Sequence, residues 1–124
     1  RPRRMGWLDL PMLRYAVRTS GITTLALTKI DVLAGRGDIF IARGYNEERD
    51  IPCLGYDKFW APYKKMKGWP VMSEDNYKRQ FGRGVSRIPH KGLRAYLELI
   101  QEETELPLSH VCFGESSSAC VSYL

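Results

Sequence analysis

The run from Ile22 to Leu27 is the feature that most constrains this chain. Its succession of apolar and β-favouring residues predicts a buried parallel strand. It ends on Thr28-Lys29-Ile30-Asp31. Ligands of open α/β sheets bind in the crevice at the carboxyl ends of strands, so Lys29 and Asp31 fall where a nucleotide would be read. An ionised Asp carries acceptors only, and it can take the ring N–H and the exocyclic amino group of guanine together. Adenine offers no such donor pair on that edge. The aliphatic stem of Lys29 is long enough to cover a base plane while its ammonium reaches ring oxygens. A Lys and an Asp after a strand are more often simply solvated, so the tetrapeptide does not decide the matter alone.

The 124 residues, 44% hydrophobic and 27% charged, suit a single globular unit with a modest core. No stretch approaches the roughly 18 apolar residues of a membrane span, and there is no signal-peptide pattern. Cys53, Cys112 and Cys120 are odd in number and lack a close paired spacing, which predicts reduced thiols in a cytoplasmic setting. The net charge is +5, with three positive charges in the first four residues. That distribution points to a local anion site rather than a general nucleic-acid surface.

Arg1-Pro2-Arg3-Arg4 runs directly into a predicted helix. Asp9 is its N-cap, Pro11 lies in the tolerant first turn, Leu10, Leu13 and Val17 share a face, and Gly21 stops it. The arginines are thereby held at the mouth of a helix, near the strand that ends in Lys29 and Asp31. Asp31 to Gly35 reads as a short turn and Asp38 to Ala42 as a strand. Ile51 to Tyr56 suggests a proline-weakened partner strand, Asp57 to Tyr63 a short helix, and Lys64 to Trp69 another strand. Met72 to Pro89 shows no period and reads as an irregular basic segment. Lys91 to about Glu103 has helical spacing, ended by Pro107, and Leu108 to Phe113 is the expected closing strand. The alternation of helices and strands predicts an α/β fold.

Two stretches together resemble one family. Arg1-Pro2-Arg3-Arg4-Met5-Gly6-Trp7-Leu8-Asp9 and Leu25-Ala26-Leu27-Thr28-Lys29-Ile30-Asp31-Val32-Leu33 resemble an arginine loop and a strand end of the C-terminal third of adenylosuccinate synthetases, at the same separation. Lys67-Gly68-Trp69 and Leu93 to Phe113 are looser likenesses. The resemblance implies an α/β fold that is the C-terminal part of a mostly parallel β-sheet flanked by helices, in a P-loop NTPase-like synthetase architecture. It implies a ligase of AMP biosynthesis that joins IMP and L-aspartate at the expense of GTP, with Mg²⁺, in a cytoplasmic homodimer. Phosphorylating the base oxygen of IMP converts it into a good leaving group for aspartate to displace.

On the same resemblance Arg1, Pro2 and Arg3 would bind IMP and aspartate, since guanidinium groups grip carboxylates in two-pronged fashion. Arg3, Lys29, Ile30, Asp31, Cys112, Phe113 and Gly114 would bind GTP. The family's phosphate loop, Mg²⁺ ligands and catalytic Asp and His lie N-terminal to the arginine loop. Residues 1–124 would then form one unit, the C-terminal segment of the synthetase, inactive alone and without metal ligands. The departure is Cys112-Phe113-Gly114-Glu115-Ser116, where the family usually has a Ser or Thr before Gly-Pro-Asp-Arg; a thiol replaces a hydroxyl poorly as a hydrogen-bond group. Cys112 reads equally as a small buried apolar residue.

His90 and His110 lack acidic partners at motif-like spacing and read as structural. Ser116 to Ser118 reads as a polar turn, and Glu102, Glu103 and Glu105 as a solvated helix end. Trp7, Trp60 and Trp69 read as packing residues. Two alternatives belong to other classes. A guanine-nucleotide-binding module would share the Lys-x-Asp strand end but should also carry a phosphate loop. A basic nucleic-acid-binding domain would use Lys64, Lys65, Lys67, Lys78, Arg79 and Arg83, but no aromatic-rich RNP-type strand accompanies them. No membrane or nucleic-acid partner is therefore expected.

Overall fold

The structure, a computed structural model, describes residues 2, 3, 5–44 and 62–124. Among these the chain runs β1 (Leu8–Asp9), α1 (Leu10–Ser20), β2 (Leu25–Leu27), β3 (Asp38–Ala42), β4 (Tyr63–Lys67), α2 (Glu74–Phe81), α3 (Lys91–Thr104), β5 (Leu108–Cys112) and β6 (Cys120–Ser122). Single 3₁₀ turns occupy Ile30–Leu33 and Val85–Arg87. The α/β class is as expected. Its strands form two three-stranded sheets, ordered β1-β3-β4 and β2-β5-β6. Each combines one parallel pair (β1 with β3, β2 with β5) and one antiparallel pair (β3 with β4, β5 with β6). Leu8 and Leu13 face Leu25, Leu27 and Leu108 across a hollow of about 230 Å³ between the sheets.

The expected caps of the first helix are present. Asp9 accepts from the Met12 amide at 3.1 Å, Pro11 lies in the first turn, and Gly21 closes the helix with φ 62°. Helix α3 is capped by the side chain of His90, whose Nδ1 accepts from the Leu93 amide at 3.3 Å, so this histidine is structural. Leu93, Tyr96, Leu97 and Ile100 carry its buried face.

Four expectations need correction. The strand at Ile22 to Leu27 shortens to Leu25–Leu27, with Ala26 exposed, because β2 is the edge of its sheet among the described residues. Met72 to Pro89 is not irregular. Ser73 accepts from the Asn76 amide, Glu74 and Asp75 sit in the first turn, Lys78 and Arg79 in the last, and Tyr77 and Phe81 bury one stripe. Eight residues are too few for a period to stand out amid basic side chains. Leu108 to Phe113 is not the last strand, since the chain turns back at 114–119 into β6. Glu103 is not solvated. It takes the Arg14 guanidinium at 2.9 Å and that of Arg43, with only 10% of its side chain exposed. Arg14 also donates to the Arg43 carbonyl at 2.8 Å, so one carboxylate ties α1, α3 and the end of β3 together.

The suggested strand at 51–56 lies outside the described residues, as does the helix from Asp57 except at its end, where Tyr63 opens β4. Trp60 is also outside them. Trp7 packs on Phe40 with ring centroids 5.4 Å apart, and Trp69, 2% exposed, packs on Tyr96 at 5.5 Å.

Burial of Tyr96 raises its phenol to about 12, against 10 for the unfolded chain. Its stabilising contribution is complete below pH 10 and is lost as pH rises from 10 to about 12, where only the unfolded chain ionises freely. Denaturant midpoints measured across that window should fall in the wild type. They should fall less steeply in Tyr96→Phe, with Tyr123, also held near 12, supplying what slope remains.

Candidate functional site

The parallel pairing of β2 with β5 puts the carboxyl ends of both strands side by side, with Leu27 opposite Val111. The turn after β2 and the turn after β5 therefore share one rim. Lys29 enters the first turn at φ 60°, a left-handed conformation that a non-glycine residue adopts at a cost of about 1 kcal/mol or more. The turn then winds into the 3₁₀ segment, with the Val32 amide on the Lys29 carbonyl and the Ala34 amide on that of Asp31, both at 3.1 Å. Ile30, 2% exposed, anchors it in the core, which leaves only its backbone for a ligand. The Lys29 ammonium reaches across to the Glu115 carboxylate at 3.7 Å. Both side chains are more than half exposed, so the pair is weak and salt-screened.

Asp31 is half-buried, and its Oδ1 is fully shielded from solvent with no hydrogen-bond partner among the described residues. A buried carboxylate oxygen left unpaired is costly. It is the strongest sign of an unfilled recognition position on this rim. The same sequence that suggested the site places Asp31 there, and the structure gives it an unmet acceptor.

The second turn is built differently from the sequence expectation. Cys112 and Cys120 are directly opposed on β5 and β6 and joined as a disulfide. Counting cysteines and looking for short paired spacings missed this, because a hairpin brings residues eight apart into register. The Cys112 sulfur is thus committed to its partner. Phe113, 5% exposed, stacks on Tyr77 with centroids 5.2 Å apart, and its amide already donates to the Ala119 carbonyl. A Cβ on Gly114 would lie 2.8 Å from the Ala119 methyl, so the tight turn requires glycine there. Ser116 and Ser118 form the expected polar turn, linked through their hydroxyls, with Ser118 donating to Glu74.

Of the arginine loop, Pro2 and Arg3 are exposed, and Arg1 lies outside the described residues. Met5, Gly6 and Trp7 face Val32, Leu33 and Arg36 across a hollow of about 280 Å³. The loop that carries Arg3 therefore continues into a chain segment beside the turn that carries Asp31. Trp69 and Tyr77 also crowd this rim. Tyr77 feels the negative charge of Asp31, and its phenol is raised by burial first and by that charge to a smaller extent. Composition alone did not point to Tyr77, although Ser73 followed by Tyr77 and Phe81 at helical spacing was a readable signal.

The profile of the adenylosuccinate synthetase family matches residues 1–121. The chain belongs to that family. The adenylosuccinate synthetase of Thermotoga maritima is 34% identical over 116 residues, 93% of this chain and 25% of that protein. That of Caldanaerobacter subterraneus is 49% identical over 81 residues, 60% of this chain and 19% of that protein. The fold is that of the fully ligated adenylosuccinate synthetase from Plasmodium falciparum, with a TM-score of 0.79 at 23% identity, covering 100% of this chain and 30% of that one. The chain spans about a quarter of the length of the curated adenylosuccinate synthetases it matches.

The cross-strand disulfide gives this rim a measurable property. Closing a loop of this size is worth about 2–3 kcal/mol in the chain-entropy account. Reduction in the intact protein should therefore speed hydrogen exchange at the Phe113 and Ala119 amides, by roughly 30- to 150-fold if opening of the hairpin is local. Exchange by mass spectrometry with and without dithiothreitol, using Cys120→Ser as the reduced reference, reads this directly.

Proposed function

We propose that this chain supplies the guanine-reading rim and the arginine loop of a GTP-dependent ligase that forms adenylosuccinate from IMP and L-aspartate. The observation that carries the reading is the Asp31 carboxylate, one oxygen buried and unpartnered, at the adjoining carboxyl ends of two parallel strands. Guanine presents two donors on one edge, and a carboxylate is the side chain that accepts both. Lys29 lends its stem to the base plane, and its ammonium is exchanged from Glu115 to the nucleotide at little cost. Ile30, Cys112, Phe113 and Gly114 act through backbone and shape, since their side chains are occupied in the core or the disulfide, or absent.

Arg1, Pro2 and Arg3 form the loop that meets IMP and aspartate, with Arg3 also facing the GTP side. Their guanidinium groups hold the aspartate carboxylates for attack on the phosphorylated purine. Mg²⁺ neutralises charge on the transferring phosphoryl group in this reaction. The described residues bring together no group of three His, Cys, Asp or Glu side chains, so they do not form its site and no step is assigned to it here. We further propose a cytoplasmic homodimer as the working enzyme, and no activity from residues 1–124 in isolation.

Asp31→Asn in the full-length enzyme tests the reading. An amide faces guanine's two donors with one acceptor and one donor. GTP affinity should fall by about 2–4 kcal/mol, roughly 30- to 1,000-fold, while xanthosine triphosphate loses less or gains. ATP should stay poor in both forms. Unchanged GTP binding by a folded variant refutes the assignment. Arg3→Leu should raise the KM for aspartate or lower turnover sharply, because a substrate carboxylate must be desolvated without its partner. Steady-state kinetics in aspartate decide that point separately.

A further inference from the structure

Three buried polar atoms around the rim lack partners among the described residues: Asp31 Oδ1, Trp69 Nε1 and the Tyr77 hydroxyl. Their chemistry is complementary. The carboxylate oxygen only accepts, the indole N–H only donates, and the phenol does both. They come from three different elements: the turn after β2, the turn after β4, and α2. Backbone contacts hold the first two together, since the Gly35 amide donates to the Trp69 carbonyl at 2.8 Å. Ring stacking holds the third, with Tyr77 lying 5.2 Å from Phe113 and 5.9 Å from Phe81. Tyr77 thus touches the β5–β6 turn with its ring while its hydroxyl points toward the polar atoms from the β2 turn.

Charge and proximity agree with that arrangement. The Trp69 indole acts on the Tyr77 hydroxyl as a donor, although the pair falls short of full hydrogen-bond geometry, and the Asp31 carboxylate acts on it as a nearby negative charge. Trp69 and Tyr77 are each 2% exposed, so no bulk water competes for these groups.

We propose that Tyr77 and Trp69 form a buried brace that donates to Asp31 and fixes its carboxylate for base recognition, which makes Tyr77 a positioning residue for guanine specificity. The inference rests on the assignment of Asp31 as the base-reading group. With the brace in place, the carboxylate plane is set before the nucleotide arrives, and both donors of guanine are met at once. Without it the carboxylate can rotate. A two-donor base then loses more than a one-donor base, for which any single oxygen suffices.

The experiment uses the full-length enzyme and measures dissociation constants of GDP and IDP by calorimetry, since hypoxanthine lacks the exocyclic amino group. Tyr77→Phe keeps the ring stack and removes only the hydroxyl. GDP should weaken on the order of tenfold, the loss of one hydrogen bond to a charged group. IDP should weaken only about threefold or less, so the preference for GDP narrows. Trp69→Phe should narrow it in the same direction. Tyr77→Phe and Asp31→Asn should be non-additive in the double variant, because the brace has no purpose once the carboxylate is gone.

Equal losses for GDP and IDP, or additive effects, overturn the brace and make Tyr77 a packing residue only. If Asp31→Asn itself leaves the GDP and IDP constants unchanged, the base-reading assignment fails rather than the brace. If Asp31→Asn is severe while Tyr77→Phe is silent, the brace alone fails.

Discussion

The parallel pairing of β2 with β5 is the constraint on which the rest of this site depends. Leu25 to Leu27 and Leu108 to Val111 run side by side, so two turns separated by about eighty residues emerge at one rim. Neither turn is rigid by propensity. The first holds Lys29 in a left-handed conformation, and the second needs a glycine packed on Ala119. Both are kept in place by what lies beneath them: Ile30 in the core on one side and Phe113 in an aromatic cluster with Tyr77 and Phe81 on the other. The strain at Lys29 persists because its surroundings determine it on both flanks.

The helices behind this rim are locked by a different device. Glu103, at the last turn of α3, receives two arginines, one from α1 and one just beyond β3. A single buried carboxylate with two guanidinium groups is an exacting arrangement, because removing either side strands a charge in a low-dielectric setting. It fixes the angle at which α1 leaves the sheet, and so the place from which the arginine loop starts. The hollow between Met5 to Trp7 and Val32 to Arg36 shows that loop beside the base-reading turn, not remote from it.

Where the sequence was readable, local chemistry governed the outcome. Asp9, Pro11 and Gly21 bound α1 because caps act within one turn, and Leu93 to Ile100 revealed α3 because its apolar stripe repeats over four turns. Asp31 was readable because a carboxylate after a strand has few roles at that position. What could not be read was non-local. The Cys112–Cys120 link depends on hairpin register, the Glu103 pairing on how two helices cross, and the exposure of Ala26 on β2 being an edge. Helix α2 lies between these cases, since Ser73, Tyr77 and Phe81 were present but surrounded by basic residues that mask a short period.

The two turns carry opposite kinds of adaptation. On the β2 side the acceptor is retained and charged, and its environment is dry on one face, which sharpens any hydrogen bond it makes. On the β5 side the hydroxyl common in the family is replaced by a cysteine that pairs with β6 instead of reaching a ligand. Recognition is thereby concentrated on Asp31, with the second turn reduced to shape and backbone. Such a division makes the fixed orientation of one carboxylate more important than it would be in a site with several side-chain readers. A freely rotating Asp31 would lose the advantage of two aligned acceptors, and few other side-chain groups on this rim remain to compensate. The polar atoms of Trp69 and Tyr77 lie buried on the side of Asp31 away from solvent, where a restraint on that rotation does not obstruct the entry of a base.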